Sequence, residues 1–391
     1  MTAVLETEAH NLTEERDCFS QENQTNPHVT GQLNNANCLF LSILPEGQAV
    51  SVLICFFVLL TAFSCFVNAL TLFGLGQSDE FSWQPRFILL KNLIFSDLVQ
   101  TATFGPAAIH SLIQRRTMAF NGWCYVQYFL GGVSVFCSLV TITCMALERY
   151  IYVCHAIRYL PIFTKIRLRG VLGGIWLYSV FIGVSEIVLL HTGRGEDDET
   201  VTTGLLCEPD VVEQHLGFPR ASAVFRKAVG SLTLLLCLLI HAFSYFRMYQ
   251  DARNAVIPFN AVNVTARNTV LFYCGMLFLQ LLPLLLKVLS DALWEFRAPV
   301  AMMGESSQSP CLCKVKTTPT ATATALHILL LVMLIVPPCI NPLVYGLWSV
   351  EMRQALTSRF RSWTERRRAN ERAAERIRLE HVARRNGAQA G

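Results

Sequence analysis

The residues of this chain that could do chemistry are charged side chains set inside long apolar stretches. Asp97 interrupts one such stretch, and Glu148-Arg149-Tyr150 stands at the end of another. An ionised group inside a bilayer is costly unless it faces a polar or wet interior, so such groups indicate function by default. Such charges indicate a functional site inside a helix bundle. Catalysis is not expected, since no His-Glu-x-x-His, Gly-x-Ser-x-Gly or phosphate-loop motif is present.

Apolar segments have to position these charges. Only 15 % of the 391 residues are charged, and the mean hydropathy is +0.40. Runs of about 20 apolar residues cross a bilayer as helices. The sequence predicts such helices at roughly 49–73, 87–111, 124–153, 167–191, 224–249, 268–291 and 322–346. The predicted fold is an all-α membrane protein with a bundle of seven transmembrane helices.

Charge in the connecting segments predicts the orientation of the bundle. Residues 158–169 include four basic side chains and no acid, and cytoplasmic loops carry such an excess of Lys and Arg. The amino-terminal segment, residues 1–48, is acidic and offers two glycosylation acceptors, Asn11 and Asn23. We expect a multi-pass protein of the plasma membrane with an extracellular amino terminus and a cytoplasmic carboxyl terminus.

Cysteines outside the apolar segments could form disulfide bonds in that compartment. They are Cys18, Cys38, Cys124, Cys207, Cys311 and Cys313. We expect Cys124 to pair with Cys207, which would tie the loop after the fourth span to the start of the third. Cys311 and Cys313 are separated by one residue and are poorly placed to bond each other. One or both could join Cys18 or Cys38 instead.

Several motifs occur in a fixed order along the predicted spans. They are Asn68, Leu93-Ile94-Phe95-Ser96-Asp97, Cys124, Glu148-Arg149-Tyr150, Trp176, Pro283 and Asn341-Pro342-Leu343-Val344-Tyr345. With 25 positions between Cys124 and Arg149, the chain from about 49 to 361 resembles the rhodopsin-like (class A) G-protein-coupled receptors. Within that family, Met145 to Tyr150 and the residues that follow, as far as Tyr159, look like the odorant-receptor signature.

Departures from the family pattern lie in the sixth span. Its start reads Ala266-Arg267-Asn268-Thr269-Val270, unlike the main tetrapod odorant receptors, and this favours a divergent, fish-type branch. Gln280-Leu281-Leu282 precedes Pro283, so the family's aromatic toggle is missing. Residues 260–269 contain no acid to form a second lock. Activation through a rotating tryptophan is therefore not expected.

A polar core around Asp97 is implied by the resemblance. Its expected neighbours are Asn68, Ser138 and Asn341, and this set could hold a sodium ion with water. The alternative is a polar cluster that only bridges helices. No other cofactor is expected.

A switch at the inner end of the third span is also implied by the resemblance. Its residues would be Glu148, Arg149, Tyr150, Tyr245, Asn341, Pro342 and Tyr345. At rest Arg149 would be held by Glu148. On activation it would move toward Tyr245 and Tyr345. The alternative is an interfacial arginine that extends to the membrane surface.

A ligand pocket between the outer halves of the helices is the third implied site. Its lining would be Tyr128, Gly132, Phe136, Glu186, Thr233, Leu284, Lys287 and His327. Lys287 could pair with an anionic odorant, but a lysine at the membrane surface, a helix-end Glu186 and a packed His327 are ordinary alternatives. No aspartate lies near Gly131, where aminergic receptors hold the amine, and this disfavours a biogenic amine.

The domain organisation and partners follow from these expectations. Residues 49–347 would form the receptor domain, and the apolar spacing over 348–361 predicts a short amphipathic helix on the inner membrane surface. Residues 362–391 read as an Arg-rich tail, either a charged helix or disordered, with some attraction to membrane lipids.

The expected function is that of an odorant receptor, not an enzyme. Its partners would be an odorant-like small molecule and a heterotrimeric G protein, with no nucleic acid. A receptor for a peptide or lipid is the alternative. A transporter is less favoured because matching inverted halves are not evident in the sequence.

Overall fold

A computed structural model of the chain describes most of the predicted bundle. The described residues are 40, 47–76, 84–116, 122–192, 206, 220–255, 275, 278, 282, 285, 321–347, 353–354, 357, 361–362 and 364–373. The helices are α1 (Gly47–Gly76), α2 (Pro85–Gln114), α3 (Gly122–Cys154), α4 (Ala156–Ile162), α5 (Lys165–Thr192), α6 (Arg220–Ala255) and α7 (Ala321–Asn341), and a π-helical turn, Pro342–Leu347, follows α7. This part of the chain contains no strand, which confirms the all-α prediction for it.

Five of these helices are long and apolar enough to cross a membrane. They correspond to Val50–Gly76, Pro85–Gln114, Gly122–Cys154, Lys165–Leu189 and Val224–Asp251, and a shorter apolar helix covers Leu331–Val344. The first five predicted spans and the seventh thus coincide with helices. Of the sixth, 268–291, the described residues are Gly275, Phe278, Leu282 and Leu285, and all four are helical. The full count of seven spans stays a prediction at this point.

The third predicted span, α3, lies at the centre of the bundle. It contacts α2, α4, α5 and α6, while α7 packs against α1 and α2. Leu93 and Ile94 of α2 are completely buried in a cluster with Met145 of α3 and Tyr245 of α6. Within a bilayer the hydrophobic effect does not drive helices together, so close packing and interhelical hydrogen bonds have to do so. The polar contacts between helices therefore matter for the fold.

Local features of the sequence explain where α2 begins and ends. Pro85 occupies the first turn, where its missing N–H costs no hydrogen bond. At the other end Arg115 adopts a left-handed conformation with φ 50°, and its N–H bonds to the carbonyl of Leu112. These ends fix the length of the helix and place Asp97 near its middle.

Prolines in and after α7 release carbonyl groups that neighbouring helices use. A proline has no N–H, so the carbonyl four residues earlier loses its helical partner. Pro338 releases the carbonyl of Leu334, to which Gln100 Nε2 of α2 donates at 2.8 Å. Pro342 releases the carbonyl of Pro338, to which Asn68 Nδ2 of α1 donates at 2.9 Å. Two amide side chains therefore fasten α7 to the bundle.

The carboxyl-terminal region is described in part. Within the predicted amphipathic helix 348–361, the described residues 353, 354, 357 and 361 are helical. Residues 364–373 are helical and nearly all exposed, and Arg367 Nε lies 3.1 Å from Glu371 Oε1, one helical turn away. These ten residues therefore form a charged helix, which was one of the two alternatives for the tail.

Candidate functional site

The polar core surrounds Asp97, which is 1 % exposed. Ser138 of α3 donates to its Oδ1 at 2.9 Å, and Asn341 Nδ2 of α7 donates to its Oδ2 at 2.8 Å. The hydroxyls of Ser138 and Ser96 are 2.8 Å apart. The structure thus brings three of the four predicted core residues into direct contact, one from each of α2, α3 and α7.

Asn68, the fourth predicted residue, joins the core indirectly. Besides the carbonyl of Pro338, its Nδ2 donates to the carbonyl of Ser64 at 2.8 Å. The hydroxyl of Ser64 is 2.9 Å from that of Thr101, which donates to the backbone carbonyl of Asp97. The Oδ1 atom of Asn68 is buried and accepts no hydrogen bond from the described residues. Within that part of the chain, Asn68 therefore has one unused acceptor beside the polar core.

The donor set of the core is compatible with a monovalent cation. The hydrogen bonds to the Asp97 carboxylate come from neutral groups, so they leave its charge uncompensated when it is ionised. Carboxylate, hydroxyl and amide oxygens are ligands that hard cations prefer. The described residues contain no group of three or more His, Cys, Asp and Glu side chains that could hold a metal. The oxygen groups of the core are therefore compatible with a hard cation such as sodium.

Glu148 at the inner end of α3 has a partner that the sequence did not suggest. It is 4 % exposed, and its Oε1 accepts a hydrogen bond from the Tyr159 hydroxyl of α4 at 2.6 Å. Burial, together with this bond to Glu148, raises the pKa of the Tyr159 phenol, which therefore stays protonated as a donor. Arg149 and Arg86 act on Glu148 electrostatically. Within the described residues, Glu148 thus accepts a hydrogen bond from Tyr159 and is also subject to the charge of Arg149.

The tyrosines of the predicted switch occupy the inner part of the bundle. The Tyr150 ring packs against Phe243 of α6, with ring centroids 5.5 Å apart. Tyr245 is 8 % exposed and stacks on His241 at 6.3 Å. Tyr345 lies in the π-helical turn, and its side chain is outside what the structure describes. The role of these residues as a switch stays a prediction.

Three of the predicted pocket residues meet near the outer end of α3. The Tyr128 hydroxyl donates to Glu186 Oε2 of α5 at 2.8 Å, and Glu186 is 7 % exposed. Among the described residues, the nearest atom to a Cβ built on Gly132 is the same Oε2, at 3.9 Å. Arg226 of α6 hydrogen-bonds to Tyr128 and acts electrostatically on both Tyr128 and Glu186. A charged cluster therefore joins α3, α5 and α6.

The other predicted pocket residues are less fully defined. The Thr233 hydroxyl is 2.6 Å from that of Tyr178, and Phe136 is half-buried on α3. His327 belongs to α7, but its side chain is not described. Leu284 and Lys287 lie outside the described residues. The hypothesis that Lys287 pairs with an anionic odorant is therefore not tested by these contacts.

Cys124 forms a disulfide bond, as its position at the start of α3 suggested. Seven other described cysteines are free. The remaining predicted disulfide and glycosylation residues all lie outside the described residues: Asn11, Cys18, Asn23, Cys38, Cys207, Cys311 and Cys313. The partner of Cys124 is thus a cysteine outside the described part of the chain, and Cys207 stays the predicted one.

Asn92 is a bridging residue that the sequence analysis missed. Its Nδ2 donates to the Thr141 hydroxyl of α3 at 2.8 Å, and its Oδ1 accepts from Trp176 Nε1 of α5 at 2.9 Å. The sequence did offer a sign of this role, because Asn92 is a second polar residue in the apolar span that contains Asp97. Asn92 holds α2, α3 and α5 together below the level of the pocket.

Comparison with known proteins agrees with this geometry. Residues 67–345, well over half of the chain, match the family described as 7 transmembrane receptor (rhodopsin family). Human olfactory receptor 14I1 is 22 % identical over 311 residues, which are 76 % of this chain and 87 % of that protein. Human olfactory receptor 11A1 and human melanopsin are each 27 % identical, over 41 % and 56 % of this chain. The chain spans about half the length of these two relatives, 54 % and 46 % respectively.

Proposed function

Because the chain belongs to the rhodopsin family of seven-transmembrane receptors, we propose that it is a chemosensory receptor of the odorant type. It binds a small extracellular molecule within the helix bundle and activates a heterotrimeric G protein. The observation that carries this proposal is the hydrogen-bonded core in which Asp97 joins α2, α3 and α7. The similarity to olfactory receptors, at 22 to 27 % identity, supports the odorant class.

The proposed topology has seven spans, with the sixth at 268–291. The amino terminus is extracellular, and the amphipathic helix over 348–361 lies on the cytoplasmic membrane surface. The basic residues between 158 and 169 support this orientation, since such charge marks cytoplasmic loops. The helical residues at 275, 278, 282 and 285 support the sixth span, because Leu285 packs against the apolar cluster of α3 and α6.

The proposed mechanism uses α3 as the element that connects the two membrane faces. Its 33 residues extend over about 50 Å at 1.5 Å per residue. One helix thus carries Tyr128 and Gly132 near the ligand, Ser138 in the polar core, and Glu148 and Arg149 at the inner end. A ligand that favours one position of this helix over another shifts the populations of both ends together.

A sodium ion is the proposed occupant of the polar core. Asp97 would bind it with the hydroxyl of Ser138, and the unused Oδ1 of Asn68 is a further oxygen beside the site. The ion would supply the positive charge that the neutral donors around Asp97 lack. Sodium should therefore change agonist affinity in the native receptor and not in Asp97→Asn. Equal sodium dependence in both proteins would contradict this site.

The decisive experiment on the proposed function concerns Arg149. Arg149→Ala should abolish basal and ligand-stimulated G-protein activation, measured with a G-protein dissociation sensor at matched surface abundance. Arg158→Ala is the matched control, because Arg158 is an exposed arginine of α4 on the same side. It should signal normally. Unimpaired signalling by Arg149→Ala would refute the assignment.

A further inference from the structure

We propose that the corner where α4 meets α5 binds the headgroups of anionic phospholipids at the inner membrane surface. The α4–α5 corner comprises α4 and the beginning of α5, residues 156–169. This inference goes beyond the proposed receptor function, because it concerns the membrane as a binding partner. It shares with that function only the cytoplasmic location of these residues.

The chain on either side of α4 keeps this helix at the membrane surface. The span formed by α3 ends at Cys154, and the span formed by α5 begins at Lys165. Only the ten residues 155–164 join these two ends. The guanidinium of Arg167 donates to the carbonyl of Pro161 at 3.2 Å, which fastens the end of α4 to α5. A short helix held in this way lies at the level of the headgroups.

The side chains of the corner divide between the bundle and its surroundings. Tyr159 is half-buried, and its hydroxyl bonds to Glu148 at 2.6 Å, so this side of α4 faces the bundle. Ile157 and Leu160 of α4 are 96 % and 79 % exposed, and Ile166 of α5 is 82 % exposed. Large apolar side chains that are grouped and this exposed indicate contact with a membrane or a partner.

The apolar side of the corner continues into the surface that faces lipid. Leu177 follows Ile166 by about three helical turns, and Phe181 follows Leu177 by about one, so all three lie on one face of α5. Leu177 and Phe181 are 74 % and 68 % exposed within the membrane span. Ile166 extends this lipid-facing surface to the headgroup level. The membrane is therefore favoured over a protein as the occupant of the corner.

Positive charge borders these apolar residues. Lys165, Arg167 and Arg169 are exposed, and residues 155–185 contain no Asp or Glu. The Arg169 guanidinium makes no hydrogen bond or ion pair within the part of the chain that the structure describes. Basic side chains near an anionic leaflet are attracted to it, and arginine binds phosphate through paired hydrogen bonds. The charge of the corner thus selects anionic lipid among the lipids that its apolar face contacts.

Native mass spectrometry of the purified full chain tests this selection. The receptor is exposed to mixed micelles with equal amounts of phosphatidylcholine and phosphatidylserine, and the lipid molecules that it retains are counted. Phosphatidylserine should be retained about tenfold more often. The double variant Lys165→Gln with Arg169→Gln should lower this preference at least about fivefold, because a single near-surface basic residue accounts for about that factor before screening.

Two further double variants separate charge from apolar contact. Arg366→Gln with Arg368→Gln is the matched control, since it removes the same charge from two exposed arginines of the tail helix. It should keep the preference for phosphatidylserine. Ile157→Ser with Leu160→Ser keeps the charge and should lower the retention of both lipids at least about fivefold. All these side chains are exposed, so an unchanged melting temperature shows that each variant is folded.

Three results would overturn the proposal. One is equal retention of the two lipids by the native receptor, and another is an equal loss of preference in the corner and tail variants. The third is a pair of serine substitutions that impairs G-protein activation and leaves lipid retention unchanged, which would assign the corner to the G protein. Failure of the receptor function shows separately, as basal G-protein activation that Arg149→Ala does not reduce.

Discussion

Two buried carboxylates of this bundle differ in the groups that surround them. Asp97, in the middle of α2, receives a hydrogen bond on each oxygen from a neutral side chain, Ser138 of α3 and Asn341 of α7. Glu186, near the outer end of α5, accepts a hydrogen bond from Tyr128 and is also subject to the charge of Arg226. Both side chains are under 10 % exposed, so the comparison teaches that equal burial does not imply equal surroundings. The nature of the partners, more than exposure, distinguishes the two carboxylates.

The difference also predicts how much each contact contributes to stability. In a membrane, interhelical hydrogen bonds are one of the main forces that hold helices together. A buried carboxylate that has only neutral donors is costly to leave without one of them, while a carboxylate beside a cation keeps that charge partner when a donor is lost. Substitutions around Asp97 should therefore destabilise the receptor more than those around Glu186.

Asn341→Leu should have the largest effect. It removes the donor to Asp97 Oδ2 and should lower the free energy of unfolding by about 2–3 kcal/mol, because a charged acceptor then lies buried without that partner. Unfolding of the detergent-solubilised receptor measures it. Ile340→Leu, on the same helix, is the control and should cost less than about 1 kcal/mol. Equal losses of stability in the two variants would mean that the hydrogen bond from Asn341 to Asp97 is not the cause.

Ser138→Ala should have an intermediate effect, about 1–2 kcal/mol by the same measurement. The loss is limited because Asp97 keeps the hydrogen bond from Asn341 on its other oxygen. Ser134→Ala is the matched control, since in the described part of the chain the Ser134 hydroxyl donates only to the Gly131 carbonyl of its own helix. It should cost less than about 0.5 kcal/mol. A Ser134 variant as unstable as the Ser138 variant would show that hydroxyl loss in general is responsible.

Tyr128→Phe should cost less, below about 1 kcal/mol. It removes the donor to Glu186 Oε2, but the charge of Arg226, which acts on Glu186 directly, remains. The ring and its packing are retained. Thermal unfolding in detergent would detect the change, and a loss as large as that of Asn341→Leu would mean that Glu186 is held as tightly as Asp97.

Gln127→Met should have the smallest effect and the opposite sign. Gln127 is 1 % exposed, and neither its Nε2 nor its Oε1 has a hydrogen-bond partner among the residues that the structure describes. Replacing an unsatisfied amide by an apolar side chain of similar size should raise stability by up to about 1 kcal/mol. The melting temperature of the variant tests this. A clear decrease would show that the outer half of α3 depends on Gln127 in a way that the contacts do not reveal.

The helices could be predicted from the sequence more fully than the contacts between them. An apolar run fixes where a helix crosses the bilayer, and the predicted 49–73 became Gly47–Gly76 because a helix continues its hydrogen bonds beyond the apolar part. The short α4 was missed, since it has seven residues and contains Pro161.

Within the site, the family pattern indicated Asp97, Ser138 and Asn341 correctly as neighbours. The bonds of Tyr159 to Glu148 and of Tyr128 to Glu186 join residues 11 and 58 positions apart. Both depend on how two helices are oriented about their axes. Apolar periodicity reports which face of a helix is buried, and it does not report which side chain on the facing helix is met.

The released carbonyls of α7 have a consequence for how the receptor is made. Bare carbonyls at Leu334 and Pro338 would be costly in contact with lipid, because hydrocarbon offers no donor. The donors that cover them, Gln100 and Asn68, belong to α2 and α1, which leave the ribosome long before α7. The last helix therefore reaches its stable form only by docking onto the first two. Assembly of the bundle, more than insertion of α7 by itself, should be the step that quality control in the cell monitors.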